Sequence, residues 1–132
     1  MDILFSFQLQ IIHVFWFNVL NIAFDMIVVF KYLIPKNYSG LTIFPFIFLR
    51  NKKSNNDELF LNHEKILLKQ QIELLWIFFF VWYFIEYGIR LFQYKNHDFA
   101  YKNISFEKEA YKNEQDLNYL KSRKTFSFLK YL

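Results

Sequence analysis

Residues 3–30 are predominantly apolar, and the first basic residues are Lys31 and then Lys36. A helix needs about 20 such residues to cross the hydrocarbon of a bilayer, so this stretch predicts a membrane-spanning helix. It lacks the basic start and small-residue cleavage site of a secretory signal, which predicts that it is retained. Asn18, Asn21 and Asp25 recur at spacings of three and four and so share one helical face. A carboxylate turned to lipid is costly, so that face is expected against protein. It reads either as a polar stripe bonded to a neighbouring subunit or as part of a proton or ion path.

Beyond this segment the pattern changes. Pro35-Lys36-Asn37-Tyr38-Ser39-Gly40 is a turn-rich break. Residues 41–49, with Pro45 inside, predict a short extended segment at an edge or in an irregular strand. Residues 50–58 form a polar loop, and a helix is expected to start at Asn56 or Asp57, both good N-caps. That helix carries His63 and Glu64 and runs through Gln70, Gln71 and Glu73. Residues 74–92 are apolar and aromatic, long enough to cross a membrane, and broken only by Glu86, Gly88 and Arg90. Glu86 and Arg90 stand four apart and can pair within one helix. In residues 100–132, Glu107, Ala110, Tyr111 and Glu114 share a helical face from which Glu109 is offset. Lys121 to Lys124 with Phe126, Phe128 and Tyr131 form a basic aromatic end suited to packing on protein or on lipid headgroups. The predicted fold is mainly α: a transmembrane helix in residues 1–34, then a membrane-associated helical domain in residues 35–132 with one short extended segment.

Composition narrows the class. Hydrophobic residues are 55% of the chain and aromatics 23%, more than an ordinary soluble domain carries, and 132 residues cannot bury that much surface alone. With no Cys there is no disulfide framework, thiolate zinc site or Cys nucleophile. No pair of His stands at axial-ligand spacing for haem. No phosphate-binding glycine loop, nucleophile elbow or internal repeat is present. The net charge of +4 fits membrane-flanking Lys better than nucleic-acid binding. Phe, Ile, Leu, Lys, Asn and Tyr dominate, residues with AT-rich codons. In this bias the chain is similar to the small hydrophobic proteins encoded in ciliate mitochondria; an AT-rich bacterium would produce it too.

One stretch carries candidate chemistry. His63-Glu64-Lys65-Ile66-Leu67 is the His-Glu-x-x-His pattern of zinc proteases with its last residue changed. In the intact pattern two His side chains one turn apart bind zinc and the Glu polarises the attacking water. Leu67 cannot ligate a metal.

Several stretches together resemble one family, small bacterial membrane-associated proteins that read as zinc metallopeptidases. They are Leu41-Thr42-Ile43-Phe44-Pro45-Phe46-Ile47, Asn62-His63-Glu64-Lys65-Ile66-Leu67, Gln70-Gln71 with Glu73-Leu74-Leu75, Trp82-Tyr83, Glu86-Tyr87, Ile89-Arg90-Leu91, Ala100-Tyr101-Lys102-Asn103-Ile104-Ser105-Phe106-Glu107-Lys108-Glu109-Ala110-Tyr111, Tyr119-Leu120 and Arg123-Lys124. The likeness covers residues 35–132. It implies that His63 matches the first zinc ligand, Glu64 the general base, and Glu107 or Glu109 a carboxylate ligand on a later helix. Leu67 matches the second His and departs from it. One His and one carboxylate fall short of the three protein ligands of a catalytic zinc, and nothing in the spacing of His97 makes it a substitute. The site residues are therefore expected to be relics, with no metal, no cofactor and no catalytic activity.

The resemblance also sets a geometric requirement. The helix with His63 and the helix with Glu107 and Glu109 must meet, which a straight membrane crossing by residues 74–92 would forbid. A bend near Phe78–Phe80 is expected, with the His63 ring within about 8 Å of the carboxylates and protonated His63, Lys65 or Lys69 neutralising them. The function expected is that of a structural accessory subunit in a respiratory-chain complex of the mitochondrial inner membrane, or alternatively in a bacterial membrane. Its partners would be other subunits and lipids, with no nucleic acid. The rival expectation is a membrane-bound zinc metallopeptidase with an atypical ligand set; a third is a lipid-binding interface protein.

Overall fold

The computed structural model describes residues 26–132, together with Gln10. The expectations for Asn18, Asn21 and Asp25 lie outside the described residues.

The chain is mainly helical, with a small sheet. Strand β1 (Ile27–Val29), β2 (Gly40–Ile43) and β3 (Phe46–Leu49) precede five α-helices among the described residues. These are α1 (Glu58–Glu73), α2 (Ile77–Tyr94), α3 (His97–Lys102), α4 (Ser105–Asn113) and α5 (Tyr119–Ser122), and a 3₁₀ turn at Ser127–Tyr131 closes the chain. The sheet order is β1-β3-β2, with β1 parallel and β2 antiparallel to β3.

The sheet corrects two expectations. Ile27 to Val29 pair with Ile47 to Leu49, so no helix continues through Phe30. The strand and the turn after it belong to the folded unit, since Ile34 is buried and its carbonyl accepts from Arg50 Nη1 at 3.1 Å. An apolar run predicts burial equally well for a helix and a strand; here pairing with a distant strand decides. The single extended segment of residues 41–49 is in fact a hairpin. Its register puts Thr42 opposite Ile47. Gly40 opens β2 where a Cβ would stand 2.5 Å from the Phe60 ring, so a side chain here would have to push that ring aside.

Helix α1 starts as its sequence requires. The Asp57 side chain accepts from Phe60 N–H at 3.0 Å and satisfies one of the free first-turn donors. The helix lies between two cores. Leu68 joins Ile47 and Leu49 under the sheet, while Ile66 and Leu67 join Phe79, Ile104, Phe106, Ala110 and Phe128 among the helices. A helix covered on both sides must pair its buried polar groups, and α1 pairs most of them, Gln70 Oε1 being left without a partner among the described residues. Asn62 donates to the carbonyls of Glu114 and Asp116 at 2.8 and 3.0 Å. The Gln71 amide donates to the Thr42 carbonyl at 2.7 Å and accepts from Phe44 N–H at 2.8 Å, fastening α1 to β2.

The apolar segment does turn, but earlier than Phe78–Phe80. Between α1 and α2 the axis bends by 113° at Leu74 to Trp76. Leu75 N–H bonds the Ile72 carbonyl at 3.2 Å and Trp76 N–H the Gln71 carbonyl at 2.6 Å, a Schellman closure. It places Leu75 at φ 50°, in the left-handed region usually taken by glycine. Among the described residues no single helix is both long and apolar enough to cross a membrane; α1 and α2 meet that measure only as a bent pair. The expected Glu86–Arg90 pair forms at 3.3 Å. Glu86 also accepts from Ser105 N–H at 2.8 Å and from its hydroxyl at 2.6 Å, capping α4.

Candidate functional site

The bend folds α2 back so that α1 and α4 meet directly. His63 is buried between them. Its Nε2 lies 3.0 Å from Glu107 Oε2 and its Nδ1 2.8 Å from Glu114 Oε2. Tyr111 sets its ring against the imidazole, with centroids 4.5 Å apart. These three partners come from the Glu107, Ala110, Tyr111 and Glu114 face, while Ala110 enters the core. Glu107 takes a second bond from the Tyr83 hydroxyl at 2.8 Å. Glu64, one residue on, turns toward the sheet and accepts from the Thr42 hydroxyl.

Electrostatics follow from this crowding. Burial opposes a charge on His63, but the hydrogen bond and charge of Glu107, with Glu64 and Glu114, outweigh it and raise its pKa to about 9. Both nitrogens then donate to carboxylates. Burial pushes Glu64 up to about 7, against the pull of the Thr42 bond and of His63. Burial beside Glu107 also raises the Tyr83 and Tyr101 hydroxyls, which therefore remain proton donors.

Leu67 lies one helical turn beyond His63 and is 7% exposed. With Glu64 and Glu107 it lines an open, mostly apolar cavity of about 290 Å³. Relic residues 63, 64, 67 and 107 are thus gathered at one place. Glu109 is not among them. It points to the other side of α4, where Arg123 clamps it against Glu73, with Gln70 and the Tyr119 hydroxyl bonding it at 2.9 Å each. Of Glu107 and Glu109, only Glu107 reaches His63. Arg123 neutralises Glu109, and among the described residues neither Lys65 nor Lys69 forms an ion pair. His97 is elsewhere, its Nδ1 2.6 Å from the Tyr87 hydroxyl.

The described residues do not fit a catalytic zinc. Among the described residues no group of three or more His, Cys, Asp or Glu is arranged to hold a metal ion. The position that would supply the third donor is an isobutyl chain, and Nε2 of His63 is engaged by Glu107. Sequence reasoning missed Thr42, Arg123 and the tyrosines around the cavity. A Thr at a buried position of an apolar strand is a weak signal for the first; nothing local marks the others.

Compared with models of known families, with curated proteins and with solved structures, the chain has no significant match.

Proposed function

We propose that this chain is a structural subunit of a membrane assembly, built on a metallopeptidase-like domain that has lost its chemistry. The observation that carries the reading is the outer face of α2. Phe78, Val81, Ile85, Ile89 and Phe92 are 53–86% exposed and follow one another at three- and four-residue steps, while the opposite face buries Phe79 and Glu86. A helix apolar on all sides needs cover on all sides, and a stripe of this length on an isolated domain is a contact surface. Leu67 supports the loss of activity: it fills with apolar volume the place where a second ligand would enter. The likeness of its AT-rich residue usage to small hydrophobic proteins encoded in ciliate mitochondria supports the mitochondrial inner membrane, in a respiratory-chain complex, with a bacterial membrane as the alternative.

The test is gentle purification of the chain from its native membrane. Stoichiometric co-purifying subunits are expected, with the α2 face protected from water-soluble carbene labelling in the assembly. A folded, monodisperse monomer without partners would overturn the proposal. The rival, a membrane zinc metallopeptidase with an atypical ligand set, predicts about one zinc per purified chain and peptide cleavage that chelation abolishes.

A further inference from the structure

The cavity beside Glu64 has a chemistry of its own. Tyr38, Tyr83, Tyr87, Tyr101, Phe80 and Phe84 are part of its wall, and among the described residues no Lys, Arg or His lines it. Among the described residues its charged lining consists of Glu64 and Glu107. Glu107 shares His63 with Glu114. Glu64, although only 5% exposed, has no cation in contact among the described residues. Its Oε2 accepts from Thr42, and no donor among the described residues reaches its Oε1. A largely buried carboxylate beside an open space is normally matched by a donor or a positive charge. Electron-rich ring faces favour the same kind of occupant. The volume, about 290 Å³, is at the small end of ligand sites, which run from about 300 Å³ upward.

We propose that this cavity binds a small organic ammonium ion, the nitrogen donating to Glu64 Oε1 with Glu107 nearby, and the body packed against the tyrosine and phenylalanine rings. The Glu64 carboxylate draws in the charge. The rings exclude water around it and add cation–π attraction. An inorganic cation would leave the apolar walls uncovered, and an anion would meet the carboxylates. A free amine and the ammonium headgroup of a lipid share this chemistry. The inference is independent of whether the domain is an assembly subunit, since it rests on the cavity and not on the α2 face.

The test uses the full chain in non-ionic detergent, titrated calorimetrically with benzylammonium and with benzyl alcohol, which has the same shape without the charge. Benzylammonium is expected to bind at one site, at least about tenfold more tightly than benzyl alcohol. Glu64→Gln keeps an oxygen for Thr42 and is expected to weaken benzylammonium by about tenfold while leaving benzyl alcohol unchanged. Tyr87→Leu is expected to weaken it severalfold through loss of a ring. Competition by dihexanoyl phosphatidylethanolamine would identify a lipid headgroup as the source; lack of competition would identify a free amine. The proposal is overturned if wild-type protein fails to bind benzylammonium or binds both probes equally, a comparison that needs no variant. It is also overturned if folded Glu64→Gln binds benzylammonium as wild type does.

Discussion

Leu67→His would put an imidazole one turn from His63, on the wall that already carries Glu64 and Glu107. If the fold is a metallopeptidase scaffold that has lost one ligand, this single change restores two His and one carboxylate, the minimum set for a catalytic zinc. Without metal the variant should be less stable. Removing a buried Leu costs about 2–5 kcal/mol when a cavity is left. The imidazole refills the space but buries a polar ring, so a loss of about 1–3 kcal/mol is expected. Zinc should return it: free metal at about 100 times the dissociation constant adds about 2.7 kcal/mol, and at 1,000 times about 4.1 kcal/mol. For a chain of this size that is a rise in Tm of roughly 10 °C. His63 must give up its proton and its bond to Glu107 to ligate. Because its pKa is raised to about 9, zinc affinity should strengthen as pH rises toward 9, with proton release. The assay is thermal unfolding with and without zinc, combined with metal content by mass spectrometry. Wild type and Leu67→Ala should not respond, and His63→Ala in the Leu67→His background should abolish the response. A folded Leu67→His protein whose Tm zinc raises no more than that of Leu67→Ala would refute the scaffold reasoning.

Three further outcomes are expected. His63, raised from 6.5 to about 9, and Glu64, raised from 4.5 to about 7, both hold their protons more tightly when folded. The folded chain therefore binds more protons than the unfolded one across that range, and stability falls as pH rises. The His63 contribution is complete below pH 6.5 and gone above about 9, a loss on the order of 3 kcal/mol. Urea unfolding from pH 6.5 to 9 measures it, and His63→Gln should flatten the profile; a wild-type stability that rises with pH would contradict the assignment. Leu75→Gly should stabilise by about 0.5–1 kcal/mol, because a half-exposed Leu at positive φ is strained while glycine is not, partly offset by glycine's freedom when unfolded; a drop in the urea midpoint would count against the closure. Arg123→Met strands Glu109 and Glu73, whose side chains are 0% and 5% exposed. It should cost about 3–5 kcal/mol, and adding Glu109→Gln should recover part of this; an additive double variant would show that the clamp does not couple them.

Some of this molecule is written in short stretches of the chain, and some is not. The start of α1 follows from Asp57 and the donors just after it. The face of α4 that reaches His63 follows from the helical period, as does the Glu86–Arg90 pair. In each case the partners lie within about one helical turn, so backbone geometry alone brings them together. The strand at Ile27–Val29 had no such signal, because an apolar run does not reveal whether its backbone bonds are internal or made to β3. The bend at Leu74 to Trp76 carries neither Gly nor Pro, and the backbone bonds of the closure hold Leu75 in a conformation that its sequence disfavours. The choice between Glu107 and Glu109 was open at the level of spacing. It was decided by which carboxylate packs on His63 and which on Gln70 two turns further along α1, and by Arg123, 14 residues from Glu109 and 50 from Glu73. Thr42 reached Glu64 across 22 residues in the same way. The residue types for the site are present in the chain, but the partner of each buried charge is decided only by the folded packing, because an ion pair or hydrogen bond between distant residues takes its strength from the burial and position that the whole fold imposes.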